Sequence, residues 1–243
     1  MILTLQLLLL TPLAAPNPIA PAKPAVAAPA AAAPAAAPDT AAPDTAALDA
    51  LVAKVQRTYE QTRSFEADYD QTYTSRVFRR SERSTGHVSY QRPGKMRFDY
   101  RTPTKKSFLV DGKALWIIQP ADNQALVDKC FKSDALTSSL TFLFGQGKLA
   151  EQFHIKPGTS APEGLTRFVM DPKQPQGAYA RLLLDVDPEL ARVVASTVVD
   201  HQGNTNRFVF KQAAYDVKLP AKRFVYKPPK SITVMPIPGS CNK

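Results

Sequence analysis

The side chains best suited to proton transfer, metal ligation or nucleophilic attack are three histidines and two cysteines, and their spacing supports none of these chemistries. His87, His154 and His201 are far apart, and neither Cys130 nor Cys241 sits near a histidine in sequence. Zinc sites need Cys and His clustered at short intervals, and nucleophilic hydrolases and P-loop proteins carry G-x-S-x-G or G-x-x-x-x-G-K-[ST]; neither pattern occurs. Asp200 next to His201 has the residue types of half a catalytic pair, but Asp200-His201-Gln202-Gly203 is ordinary turn sequence. The expectation is a protein that is not an enzyme and holds no metal or cofactor.

Charge gives a second chemistry to consider. The chain of 243 residues has a formal net charge of +10, which favours anionic partners: phospholipid head groups, nucleic acid or an acidic protein surface. Between Arg92 and Arg101, basic and aromatic residues are interleaved, as they are in proteins that stack bases. Here the alternation is strict. Met96, Phe98 and Tyr100 fall on one face of a strand and Lys95, Arg97, Asp99 and Arg101 on the other, so rings and cations point apart. A basic stacking platform needs them together, and nucleic acid is not expected as a partner.

The elements that would position these residues begin after an unusual N-terminus. Ile2 to Leu10 is an apolar run too short to cross a bilayer but suited to the core of a signal peptide, although no Lys or Arg precedes it. A signal segment over 1–27 is expected, with Ala14-Ala15 and Ala25-Val26-Ala27 both available for cleavage. Residues 28–44 are almost wholly Ala and Pro. Such a stretch buries little area and lacks backbone donors, so it reads as an extended linker ahead of a domain over 45–243. Neither cysteine lies near the signal segment, so the chain is not expected to be acylated itself. With 44% hydrophobic and 21% charged residues, the chain as a whole has the composition of an ordinary globular protein.

From Thr45, Leu48, Leu51, Val52, Val55 and Tyr59 form one apolar stripe at helical spacing, with Asp44 or Thr45 as N-cap. A long strand follows, with Phe65, Ala67, Tyr69 and Tyr73 opposing Glu66, Asp68, Asp70 and Thr72. Pro93-Gly94 marks a turn before Lys95 to Arg101, and Asp111-Gly112 predicts a hairpin joining strands that hold Phe108 and Trp116. A second helix is predicted over 135–144 from Leu136, Leu140, Leu143 and Phe144, between Asp134 and Gly145. Strands resume at 152–156, 166–171, 180–187, 191–199 and 206–217. The reading is α+β and mainly β: about ten or eleven antiparallel strands in a curled sheet with one dry face, covered by two helices.

The ordered segments SFEADYDQTY, GHVSYQRPGKMRFDYRTP, LVDGKALWIIQP, DHQGNTNRFVF and RFVYKPPKSITV resemble the outer-membrane lipoprotein carrier (LolA) family, from Leu48 to Val234. That resemblance implies an incomplete antiparallel β-barrel with an α-helical lid. It also implies a periplasmic chaperone that takes acylated lipoproteins from an inner-membrane lipoprotein-releasing transporter to an outer-membrane receptor or membrane, acting as a monomer. Arg92 in Gln91-Arg92-Pro93 matches the family arginine that bonds the lid backbone and holds the empty cavity closed. Met96 falls where the family places an apolar cavity residue. Phe65, Tyr69, Phe98, Tyr100, Trp116, Leu140, Leu143 and Phe144 are further candidates for the cavity lining, each equally explained by core packing. The alternative is a lipid-binding or envelope-sensing protein of the same fold. In an oxidising compartment, Cys130 and Cys241 are expected to pair.

Overall fold

The computed structural model describes residues 45–131 and 147–238. The expected signal segment and linker, the helix predicted over 135–144 and Cys241 lie outside the described residues.

The chain opens with helix α1 (Thr45–Gln61). Its stripe works as the spacing requires: Leu48, Val52, Val55 and Tyr59 are buried, each contributing about 1.5–3 kcal/mol when removed from water. The strands are β1 (Ser64–Ser75), β2 (Arg80–Gln91), β3 (Lys95–Thr102), β4 (Lys106–Val110), β5 (Leu115–Gln119) and β6 (Gln124–Asp128). A four-residue helix α2 (Leu149–Gln152) leads into β7 (Phe153–Pro157), followed by β8 (Thr166–Pro172), β9 (Arg181–Asp187), β10 (Arg192–Val199), β11 (Thr205–Tyr215) and β12 (Thr233–Pro236).

All twelve strands form one sheet in the order β12-β6-β5-β4-β3-β2-β1-β11-β10-β9-β8-β7. The ends of that series, β12 and β7, are not paired to each other, so the barrel is open, as expected. Two details differ from the reading of about ten or eleven antiparallel strands. The pattern locates nine of the twelve individually, and β2, β6 and β12 escape it: the first half of β2 is polar on both faces, and the other two are short. The pairing of β12 with β6 is parallel, a non-local contact that no hairpin signal announces.

The sheet has two distinct faces. On the inner face, α1 packs over β7 to β10 in one apolar cluster that includes Phe153, Phe168, Met170, Leu182, Leu184 and Val193. Across β1 to β5 a second cluster gathers Ala67, Tyr69, Val88, Tyr90, Met96, Phe98, Tyr100, Phe108, Val110, Leu115 and Ile117. Phe210 of β11 packs against both. On the outer face, residues 217–226 cross the sheet and cover Leu109 and Trp116 with Leu219, Phe224 and Tyr226.

The hairpin predicted at Asp111-Gly112 joins β4 to β5, with Val110 opposite Leu115 and Leu109 opposite Trp116. Its loop spans 111–114. Asp111 Oδ1 accepts from the backbone N–H of Lys113 and Ala114, both at 2.8 Å, and Gly112 supplies a φ of +94°.

Candidate functional site

The aromatic half of the inner face brings together five of the residues singled out from the sequence. Phe65 and Tyr69 come from β1, and Met96, Phe98 and Tyr100 from β3. Strand alternation puts them on one side, and the register through β2 aligns them: Tyr69 opposes Gly86, which in turn opposes Tyr100. The Tyr69 ring lies 5.5 Å from Tyr100, 5.7 Å from Phe98 and 5.3 Å from Phe208, all in tilted or edge-on contacts. Such geometry adds roughly 0.5–1.5 kcal/mol per pair beyond area burial. Burial also pushes the Tyr69 and Tyr100 hydroxyls well above the usual tyrosine range, so both remain neutral.

Among the described residues, no helix contributes to this aromatic cluster; its edges are closed by Ile237 and by partly buried Phe131 and Leu126. The other half of the inner face, by contrast, is filled by α1. Sequence reasoning did not single out Tyr90, Phe208 and Phe210 for this face. The alternating aromatics of Phe208 and Phe210 in β11 carried that signal.

Arg92 follows β2, and its Nη2 donates to the carbonyl of Tyr59 at 2.9 Å. Tyr59 lies in the last turn of α1, where carbonyls have no intrahelical donor and the helix dipole is negative; a guanidinium there meets both needs. Arg92 also bonds the Tyr90 side chain, whose pKa is raised by burial against the lowering effect of the arginine. The backbone N–H of Arg92 donates to Arg63 O at 2.9 Å, tying the β2–β3 turn to the α1–β1 connection. From the other side, Tyr59 Oη accepts from the Val193 N–H at 3.0 Å, and Gln56 bonds Gly147 O and Leu149 N, each at 3.0 Å. Tyr59 therefore links α1, the Arg92 turn and β10, a role its position in the stripe did not announce.

Trp116 does not join this site. It lies on the outer face, where Nε1 donates to Asp111 Oδ2 at 3.1 Å and the ring meets Tyr226 edge-on at 5.4 Å. Its expected place in the lining is corrected: β5 puts Leu115 and Ile117 inward, so residue 116 must point outward. Leu140, Leu143 and Phe144 lie outside the described residues. Cys130 is disulfide-bonded.

The outer face near β3 carries a charge network instead of apolar lining. Arg223 Nη1 reaches Glu66 at 2.7 Å, Ser89 at 2.9 Å and His87 at 3.1 Å. His87 Nδ1 meets Asp68 at 2.8 Å, and Arg101 forks onto the same carboxylate, holding it below the usual aspartate range. A cleft of about 470 Å³ opens here, lined by Arg97, Asp99, Arg101, Lys222 and Arg223 among others. Its arginines are already matched to carboxylates. The other two histidines are remote from it: His154 is in β7 and His201 follows β10.

The sequence and the fold both have relatives among known proteins. The family described as outer membrane lipoprotein carrier protein LolA matches residues 60–227. An outer-membrane lipoprotein carrier protein of Chromobacterium violaceum is 28% identical over 185 residues, covering 76% of this chain and 86% of its own. One from Methylibium petroleiphilum is 29% identical over 171 residues, covering 70% and 81%. Among solved structures, an uncharacterized conserved protein from Thermus thermophilus shares the fold with a TM-score of 0.51 at 11% identity, covering 78% of this chain and 99% of its own. With its open sheet, its aromatic inner face and a family match across most of the folded domain, this chain belongs to the LolA family of outer-membrane lipoprotein carriers.

Proposed function

We propose that the chain is a periplasmic chaperone that takes lipoprotein acyl chains onto its aromatic inner face and moves them from the inner to the outer membrane. The observation that carries this reading is the division of the inner face. One half is filled by α1, while the other is a continuous surface of rings and Met96 built from β1 to β5. An acyl chain needs such a surface. Burial is worth about 0.8 kcal/mol per CH₂, so a chain of about fifteen methylenes resists entering water by roughly 12 kcal/mol. Rings that shift past one another and the flexible thioether of Met96 suit a guest without fixed shape.

In the structure this face is closed: Tyr69, Tyr90, Met96, Phe98 and Tyr100 are each exposed by 4% or less. Loading therefore requires opening, and the Arg92–Tyr59 hydrogen bond is the latch that opening breaks. The latch stabilises only the empty form, so it weakens the hold on cargo by the same amount. The partners on this reading are acylated lipoproteins, an inner-membrane lipoprotein-releasing transporter and an outer-membrane receptor or membrane.

The test is mass spectrometry of the full protein purified from its native periplasm. An acylated polypeptide that co-purifies at near one-to-one ratio is the expected result. Recovery of free phospholipid alone would replace the carrier reading with that of a lipid-binding protein of the same fold.

A further inference from the structure

The β1–β2 hairpin ends on Val77 and Phe78, exposed by 68% and 74%, the highest values among the large apolar side chains of the described residues. The tip is a built feature. Its strands pair in unbroken register to Ser75 opposite Arg80. Arg76 N–H donates to Asn204 Oδ1 at 2.9 Å, Phe78 N–H to Ser75 Oγ at 3.3 Å, and Arg79 adopts φ +50° to turn the chain. On one side it also projects, because the pairing of β2 with β3 stops at Thr85 opposite Thr102, whereas on the other side β11 accompanies β1 as far as Thr205 opposite Thr74. The five residues from Arg80 to Ser84 thus extend past β3 by about 16 Å at 3.3 Å per residue.

The surroundings of the tip are cationic. Arg76, Arg79, Arg80 and Arg83 are all exposed, against two acids: Glu82, which pairs with Arg80 at 3.0 Å, and Asp200 of the neighbouring β10–β11 turn, whose carboxylate is held by Asn204. The Arg80 guanidinium also lies 5.7 Å from the centre of the Phe78 ring. Two exposed apolar side chains are too little area for a stable protein interface, which needs roughly 800 Å² on each side. Ringed by guanidiniums, they match the boundary of an anionic bilayer, where apolar tips enter below the head groups and arginines fork onto phosphates.

We propose that the β1–β2 hairpin tip docks this protein on anionic membrane surfaces, with Val77 and Phe78 inserting and the surrounding arginines contacting phosphate. Arg92 follows the far end of β2, about 36 Å from the tip at strand rise, so docking leaves the α1 latch away from the bilayer. The inference goes beyond the carrier reading and does not depend on it, since no cargo is involved.

The test is flotation of the full, cargo-free chain with phosphatidylethanolamine vesicles containing phosphatidylglycerol, set against neutral phosphatidylcholine vesicles. Wild type should float with the anionic vesicles and detach at high salt. The Val77→Ser, Phe78→Ser double variant should bind at least tenfold more weakly with an unchanged circular dichroism spectrum. An Arg79→Gln, Arg80→Gln variant should lose roughly thirtyfold and show a flatter salt dependence. Phe78→Trp should add a blue-shifted emission component on anionic vesicles only. Absence of wild-type binding, equal binding by the tip variant, or tip-dependent self-association without vesicle binding would each overturn the proposal.

Discussion

Arg92 and Tyr59 illustrate how a single hydrogen bond acquires leverage when it exists in only one of two states. A charged donor to a carbonyl is worth about 1–3 kcal/mol. On the carrier reading, Arg92→Leu removes that from the empty form alone. Cargo should then be retained about fivefold to a hundredfold more tightly, and transfer to an acceptor membrane should slow while loading survives. Equal transfer rates for a folded mutant would reduce Arg92 to a helix cap. A second residue-scale prediction concerns Asp185, a side chain only 1% exposed that receives Arg167 Nε at 2.6 Å and Arg207 Nη2 at 2.7 Å. Burial alone would raise its pKa, but the hydrogen bonds from the two arginines outweigh it and the carboxyl titrates below the usual range. A carboxylate depressed in the folded state stabilises fully above its unfolded pKa near 4, and that contribution disappears as pH falls through the folded value. The thermal midpoint should accordingly be flat from neutral pH to about 5 and fall below about 4. Asp185→Asn should cost about 3 kcal/mol at neutral pH and blunt the acid-induced fall; an unaltered pH profile would refute the assignment.

At the scale of elements, β1 and β2 are held close by a glycine. Gly86 opposes Tyr69, and a Cβ there would lie 2.4 Å from the tyrosine oxygen and 2.3 Å from the Asp99 carbonyl. The ring occupies the space that a side chain would need. Gly86→Ala should displace Tyr69 from its three aromatic neighbours and destabilise the fold by about 2 kcal/mol, read as a shift in the denaturation midpoint with reduced near-ultraviolet dichroism. A midpoint matching wild type would show that the ring has room to move. The edge strand β12 makes a different prediction. It runs parallel to β6, and Ile237 N–H donates to Val127 O at 2.9 Å. Three residues beyond Val127 is Cys130, and four beyond Ile237 is Cys241. We propose that these two form the bridge in which Cys130 engages, locking the tail to the sheet. Proteolysis without reduction should yield one cross-linked peptide pair, and reduction should lower stability by about 3 kcal/mol. Two alkylatable thiols in denatured, unreduced protein would exclude it.

Over the whole molecule, local patterning determined a great deal. The stripe from Leu48 to Tyr59, the alternation in β1 and β3 and the Asp-Gly turn between β4 and β5 are properties of short segments. Backbone geometry alone then dictates which side chains share a face within one strand, so Phe65 with Tyr69, and Met96 with Phe98 and Tyr100, were legible as two sets, which only the register through β2 brings onto one side. The ordered motifs added the family and, with it, the open barrel. Tertiary structure decided everything that joins segments distant in the chain. It turned Trp116 outward under residues 217–226, because inward and outward are defined only once the sheet has chosen which side to cover. It brought Tyr59 to Arg92 and to β10, and it placed β12 parallel to β6 at an edge no turn specifies. It also carried the β1–β2 tip past β3, leaving Val77 and Phe78 in solvent. Period-2 and period-3.6 patterns encode the direction of a side chain relative to its own strand or helix, whereas the partner it meets depends on where the rest of the chain returns.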